Sequence, residues 1–570
     1  MNSPGEKNRL RLLFFGLLFL ATLLIVRLYY LQIIHGREYE TRADRQYSSP
    51  SRKIFDRGSI YFQNEDGTLL SAASLSTGYL ISLNPQKIVN PEDVYNGLSS
   101  VLPLDLDSFY LKANKKNSQF EKIANQVSEE DKDKVESFKL VGVNIEKERW
   151  RYYPGEELAA RTLGFVGYDG DQLVGRYGLE KYYEDVLSRN ENLTYVNFFA
   201  EIFSNLKQSI TEDSKRAGDI ITSIEPTVED YFEKKVAEVS HQYNSKLTGG
   251  IIIDPLTGEI YALALSPNFN PNKFSLEKDL SVFNNPLVEG LYEMGSIVKP
   301  LTVAAGLDTG AITATTKYND KGSLTLDGYT IYNHDKKPHG LTDMQEVLNQ
   351  SLNLGAAFVV DKMGNNNFAD YIRAYGLDEE TGIDLPAENH GRLENLDSPR
   401  DIEYATASFG QGISLTPIAT VRALSTLANG GKLITPHIVK RINYTSGLFN
   451  NISYVNEARQ VLKKETSEEI SRMLVATVDT ALLDGKVKLP NYSVAAKTGT
   501  AQIAKPGGGY YDDRWLHSFF GYFPAYEPRF LIFLYTVEPK GISFASQTLT
   551  EPFIDTVKFL INYYNIPPDR

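Results

Sequence analysis

Three short patterns put a nucleophile, a base and a carboxylate-binding strand in one chain. Ser296 and Lys299 stand three residues apart in EGLYEMGSIVKPLTVAAGL. Ser351 and Asn353 are two apart in MQEVLNQSLNLGAAFVVDKM, and Lys497, Thr498, Gly499 and Thr500 follow in SVAAKTGTAQIA. A serine hydroxyl is a poor nucleophile until a neighbouring base takes its proton. At a helix start, residues i and i+3 project from one face, so Lys299 can serve Ser296. It must then be neutral, which desolvation and a nearby cation such as Lys497 would favour. A strand bearing a cation, two hydroxyls and a glycine offers charge, donors and open backbone to a carboxylated substrate. Each pattern alone has a bland explanation, such as a helix cap for S-x-N. The ordered set S-x-x-K, S-x-N, K-T-G is a fingerprint of serine acyl transfer.

These residues need elements to hold them. VEDYFEKKVAEVSHQY reads as a helix with Val228, Phe232, Val236 and Val239 on one face. GGIIIDPLTGEIYALALSPNF follows as two apolar strands around the turn DPLTGE. The first two motifs fall in helical stretches. Strands return at SVAAKTGTAQIA, SFFGYFPAYE and RFLIFLYTVEP, and EPFIDTVKFLINYY closes the chain as a helix. Strands, a helical block, then strands and a helix predict an α+β layered domain over 226–570.

Upstream, 35–225 reads as a second, α+β module without a catalytic constellation. NEDG between SIYFQ and TLLSAA is a hairpin turn pivoting on Asp66 and Gly67. Helical, charged segments follow at PEDVYNGLSSVL and EEDKDKVESFKL, then KERWRYYPGEELAARTLGFVG. An extended connection is expected around 191–219.

The chain has 570 residues, 42% of them hydrophobic, enough for more than one core. A net charge of −13 argues against a nucleic-acid partner, which needs a basic face. With no cysteine, disulfides, thiolate zinc sites and cysteine nucleophiles are excluded. His334 and His339 flank DKKP in a polar loop, and neither a metal nor a cofactor is expected.

The amino terminus carries LLFFGLLFLATLLIV from Leu12 to Val26, then Arg27 and LYYLQII to Ile34. Arg27 can snorkel, which extends the apolar run towards the roughly 20 residues a span needs. No small-residue cleavage site follows. The reading is a membrane anchor at 12–34, a cytoplasmic tail at 1–11 beside Lys7, Arg9 and Arg11, and everything later outside.

The chain resembles the class B penicillin-binding proteins, membrane-anchored peptidoglycan D,D-transpeptidases. Beyond the three motifs, the resemblance rests on RGSIYFQNEDGTLLS, YYPGEELAARTLGFVG, RYGLEKYYEDVL, GDIITSIEPTVEDYFEKKV and FGQGISLTPIATVRALSTLANGG. It implies a pedestal or dimerisation-type module before a transpeptidase domain with an antiparallel sheet flanked by helices. It implies that Ser296 attacks the carbonyl between two D-alanines, that Lys299 accepts its proton, and that Ser351 protonates the departing D-alanine. Asn353 would hold Lys299 and the donor peptide, and Lys497 would polarise Ser351. Thr498 and Thr500, around Gly499, would bind the terminal carboxylate or a β-lactam. Backbone N–H groups of Ser296 and Thr500 would form the oxyanion hole.

Two departures from the family pattern are Met294 in EMGS, where EPGS is common, and Leu352 in place of the aspartate of S-D-N. A D,D-carboxypeptidase, a β-lactamase and a β-lactam sensor or scaffold are the rival readings. An anchor and a long amino-terminal module fit them less well. The S-x-N motif, the module and the length lean towards a division rather than a side-wall enzyme. That implies a polytopic glycan polymerase and other division proteins as partners, besides peptidoglycan stem peptides and β-lactams.

Overall fold

The computed structural model describes residues 55–170, 172–189 and 217–570. The expected tail, the anchor and nearly all of the connection at 191–219 lie outside the described residues. Among the described residues no helix is long and apolar enough to cross a membrane. The described residues divide into two compact units: one takes Phe55 and Thr77–Arg149, the other runs through Asp56–Ser76 and from Trp150 to Arg570.

The smaller unit is built on the second half of strand Leu69–Leu83, which pairs antiparallel with Glu121–Val127 (Ile81 opposite Ala124). Helices Pro91–Ser99 and Glu129–Ser137 form where PEDVYNGLS and EEDKDKVES predict them. Each starts on a side-chain cap, Asn90 accepting from Glu92 N–H and Ser128 from Asp131 N–H. Leu98, Phe109 and Val135 join Ile81 and Leu83 in its core. KERWRYY, by contrast, is strand within Val143–Tyr152, and only Ala160–Leu163 of the following stretch is helical. Lys147 and Arg149 face solvent there, whereas Arg151 is buried.

In the larger unit, Gly67 at φ +84° closes the expected turn, its N–H bonded to Asn64 O at 3.0 Å. Ile60–Gln63 pairs antiparallel with Leu69 onwards and parallel with Gly218–Thr222 (Ile60 opposite Ile220). Beside it lies a buried ion cluster. Arg57 Nε donates to Glu180 Oε2 at 2.6 Å and Arg151 Nε to Glu180 Oε1 at 2.5 Å. Tyr153 Oη adds a bond to Glu180 Oε1 at 3.2 Å.

The catalytic sheet is antiparallel and five-stranded, in the order Ala495–Ala504, Tyr510–Phe523, Phe530–Val537, Leu247–Ile253, Ile260–Ser266. Every residue of Phe530–Val537 is buried, as a central strand covered on both faces requires. On one face, helices Pro226–Gln242 and Thr550–Tyr563 set Val228, Phe232, Phe553 and Val557 against Phe519, Ile532 and Leu534. On the other, Lys299–Asp308, Asn353–Met363, Pro417–Ala428 and Lys464–Thr480 form the helical block, facing Phe520, Phe533 and Tyr535. This mixed α+β domain brings the helical block and one sheet edge together.

Candidate active site

The nucleophile sits on a tight turn. Gly295–Val298 is a 3-10 turn leading into helix Lys299–Asp308, with Pro300 in its first turn. Pro there costs nothing, because the first N–H groups of a helix lack intrahelical partners. Gly295 has φ +64°, and a Cβ on it would lie 2.8 Å from Thr500 O. The serine turn and the KTGT strand therefore run backbone to backbone. Gly410 of FGQG clamps the turn from behind: its carbonyl accepts Gly295 N–H at 3.1 Å, and a Cβ at 410 would lie 2.2 Å from Gly295 O. Met294 is fully buried and touches the site through its backbone, its carbonyl accepting from Ser518 Oγ at 2.8 Å.

Ser351 follows helix Met344–Asn349 in the left-handed region, at φ +55°. A non-glycine residue held there stores strain, a common mark of a functional position. The conformation presents both oxygens of Ser351 to the lysines. Lys299 Nζ donates to Ser351 O at 2.5 Å and lies 3.2 Å from its Oγ, and Lys497 Nζ lies 3.0 Å from the same Oγ. Leu352 is buried core and caps nothing. Asn353 opens the next helix, but its amide donates to Tyr332 O at 2.8 Å and not to Lys299. The expected hold on Lys299 falls to the Ser351 carbonyl instead. Ser296, half-buried, makes no side-chain hydrogen bond among the described residues, and such catalytic contacts commonly tighten only with substrate bound.

The electrostatics favour a neutral base. Lys299 is fully buried and Lys497 nearly so, and neither has an ion pair among the described residues. Burial, and then the charge of Lys497, hold the Lys299 amine well below the usual lysine range. Burial pushes Lys497 down to about 7. One amine of the two is therefore free to take a proton near neutral pH.

KTGT forms the facing wall. Lys497 pairs with Phe520, Thr498 with Phe519, Gly499 with Ser518 and Thr500 with His517. Glycine is needed at 499: a Cβ would sit 2.4 Å from Ser518 Oγ and 2.8 Å from Met294 O. Thr500 Oγ1 accepts Ala545 N–H at 3.1 Å, which leaves its own hydroxyl hydrogen for a ligand. Thr498 is half-buried, with Lys497 Nζ donating to its carbonyl at 3.1 Å. The structure thus joins Lys299, Ser351 and Lys497 by hydrogen bonds and sets the Ser296 turn against the KTGT strand, while the Asn353 amide turns to Tyr332 O. Sequence reasoning missed Ser518 and the clamp at Gly410. A lone serine inside the apolar strand SFFGYF was the available signal for Ser518.

The loop histidines divide. His339 Nε2 lies 3.1 Å from Asp335 Oδ2, whereas the His334 ring meets Phe544 edge-on at 6.2 Å. Burial, then the charge of Lys299, lower the His334 pKa. Among the described residues no group of His, Cys, Asp or Glu could hold a metal ion.

Comparison with known proteins agrees with this geometry. The family description Penicillin binding protein transpeptidase domain matches residues 248–557, and Penicillin-binding Protein dimerisation domain matches 55–222. Stage V sporulation protein D of Bacillus subtilis is 29% identical, over 96% of this chain and 85% of its own. Peptidoglycan D,D-transpeptidase MrdA of Acinetobacter baumannii is also 29% identical, over 86% of this chain and 77% of its own. The crystal structure of penicillin binding protein 3 from Mycobacterium tuberculosis, complexed with aztreonam, superposes with a TM-score of 0.68 at 21% identity. It covers 91% of this chain and 98% of that one.

Proposed function

The chain belongs to the class B penicillin-binding transpeptidases, and from that membership we propose that it cross-links peptidoglycan stem peptides at the division septum. The observation that carries the chemistry is Ser351 Oγ held between two buried lysines without an ion pair among the described residues, 3.2 Å from Lys299 Nζ and 3.0 Å from Lys497 Nζ. Neutral Lys299 takes the Ser296 proton as Ser296 Oγ attacks the carbonyl between the two terminal D-alanines. The oxyanion is met by the N–H groups of Ser296 and Thr500. As the C–N bond breaks, the proton passes through Ser351 to the departing D-alanine nitrogen, with Lys497 polarising the hydroxyl. Thr498 and Thr500 hold the terminal carboxylate. The acceptor amine then attacks the ester, gives up its proton along the same route and releases Ser296. A β-lactam mimics the donor and stays attached. No cofactor is required.

The apolar run Leu12–Val26 and the basic tail support an anchor at 12–34 in the cytoplasmic membrane, with the catalytic domain outside. S-x-N, the size of the module and the chain length support the septal assignment and a polytopic glycan polymerase as partner. Side-wall elongation is the alternative.

Capture by a labelled penicillin tests the chemistry. The wild type should hold a stable adduct and Ser296→Ala none. Labelling that persists in Ser296→Ala removes the nucleophile assignment, and rapid hydrolysis of the adduct makes the protein a β-lactamase. A fluorescent fusion of the full chain should concentrate at midcell, and a uniform side-wall signal overturns the septal part.

A further inference from the structure

Behind the second motif lies a cavity of about 570 Å³, within the range of small-molecule sites. Its floor is helix Asn353–Met363, with Leu354 and Phe358 exposed to it. Its roof is the hairpin Ser323–Leu326 and Tyr329–Tyr332, which contributes Leu324 and Leu326. The hairpin is tied at both ends, so the space beneath is built rather than left by loose packing. At its base, Asn333 Nδ2 donates to both oxygens of Asp320 at 3.0 and 2.9 Å. At its tip, Asp327 Oδ2 accepts Ile402 N–H at 3.0 Å.

Asp320, Asp361 and Asp401 line this cavity together with Lys321, and among the described residues only Asp361 of these is ion-paired, to Lys362 at 3.5 Å. Asp320 is 1% exposed and lines it. Its carboxylate receives hydrogen bonds from Tyr318 Oη, Gly322 N–H and Asn333, yet it has no cationic partner among the described residues. Asp401 also lines the cavity without an ion pair, its Oδ1 accepting from Asn365. A buried carboxylate beside an apolar surface favours a cation that brings its own apolar body.

We propose that this cavity is a second ligand site, taking an apolar molecule or side chain that carries one ammonium or guanidinium group. Its occupancy is felt at the catalytic centre. The link is Asn333: its amide holds Asp320 while its Oδ1 accepts Leu354 N–H at 3.2 Å, one residue beyond Asn353. The neighbouring Tyr332 carbonyl accepts Asn353 itself. A cation drawn to Asp320 competes for the oxygens that hold Asn333, and so shifts the start of the helix that follows Ser351. The coupling, though not the binding, rests on the acyl-transfer reading.

The test uses the full chain and naphthylmethylammonium, whose fluorescence reports binding, with naphthylmethanol as the uncharged body. Saturable binding is expected, about tenfold weaker for the alcohol and for Asp401→Asn. It should be lost in Leu326→Trp, which fills the cavity, and kept in Ser296→Ala. Saturating probe should change the rate of penicillin acylation by about fivefold. Equal binding by the alcohol overturns the charge argument, and unchanged binding by Leu326→Trp overturns the site. Binding with no effect on acylation overturns the coupling alone. Failure of penicillin labelling in the absence of the probe would instead indict the acyl-transfer reading.

Discussion

Two regions of the larger unit bury positive charge, and they do so in opposite ways. Around Glu180, Arg57 and Arg151 surround one fully buried carboxylate, and each nitrogen that meets it makes a short bond. Burial alone would raise the Glu180 pKa, but the two guanidinium groups outweigh it and hold the carboxyl below its usual range. Around Ser351, Lys299 and Lys497 are buried comparably deeply with no carboxylate partner among the described residues, and both amines are pushed down. The difference is one of purpose. A compensated cluster fixes structure, because its charges are satisfied and have no reason to move. An uncompensated pair is poised to exchange protons, because losing one relieves both desolvation and repulsion.

The sharpest way to break this comparison is to remove one cation from each region. Lys299→Met keeps the length and drops the amine. Penicillin acylation should fall by about 10⁴-fold, the scale on which single members of a catalytic unit act. Thermal stability should hold or rise, since no opposite charge is left unpaired and only the Ser351 oxygens lose a donor. A variant that loses stability in step with activity would make Lys299 a structural residue. Glu180→Gln should do the reverse. It leaves Arg151 buried without a counter-charge and Arg57 with Glu184 alone, 2.7 Å from its Nη2, and should cost about 3–5 kcal/mol of stability. Acylation per folded molecule should not change, as measured by active-site titration beside a denaturant melt. A full-strength melt with impaired acylation would reverse the two roles.

How far the sequence reveals these regions differs for the same physical reason. The catalytic residues are legible because chemistry fixes their type and local spacing: Ser296 with Lys299, Ser351 with Asn353, and Lys497 to Thr500. The strands and helices that carry them show in period two or period 3.6, as Val228, Phe232, Val236 and Val239 do. The ion cluster joins Arg57, Arg151 and Glu180 across 123 residues, and nothing local announces it. Arg151 sits in KERWRYY, which reads as part of a helical, charged segment, although it lies in a strand that places this one guanidinium inside. The role of Asn353 was misjudged in a similar way. Its partner, the Tyr332 carbonyl, belongs to a hairpin whose position only the tertiary fold sets.

Stability against pH separates the regions without touching the reaction. Lys497, at about 7 in the folded chain, lies below its unfolded value in the ordinary lysine range. Between those two values the native state binds fewer protons than the unfolded one, so stability rises with pH across that window. Glu180 behaves as a depressed carboxylate: its contribution is present above the ordinary carboxylate range and lost as pH falls through the folded value. Glu229 and Glu233 are raised by burial and, for Glu233, by the Glu229 charge, which lowers stability as pH rises. The informative quantity is therefore the difference between wild type and Lys497→Met. The melting temperature of the wild type should gain on that variant from pH 7 to pH 10, by an amount equivalent to a few kcal/mol. Parallel curves would mean that Lys497 keeps its ordinary pKa and that the two regions do not differ as described.

The smallest effect concerns a residue that belongs to neither charge arrangement but joins the sheet to the nucleophile. Ser518 faces Gly499 across the sheet and donates to Met294 O at 2.8 Å, two residues before Ser296. Ser518→Ala removes that donor and leaves the buried Met294 carbonyl short of a partner, a loss of about 1 kcal/mol in stability. The turn then loses its tie to the KTGT strand while Gly410 still holds it from behind. Small displacements of a reacting atom are costly, so acylation should fall by about tenfold. Ser518→Thr keeps the hydroxyl and should recover most of that loss if its methyl group is accommodated. An alanine variant that acylates at the wild-type rate would show that Gly410 alone positions the nucleophile.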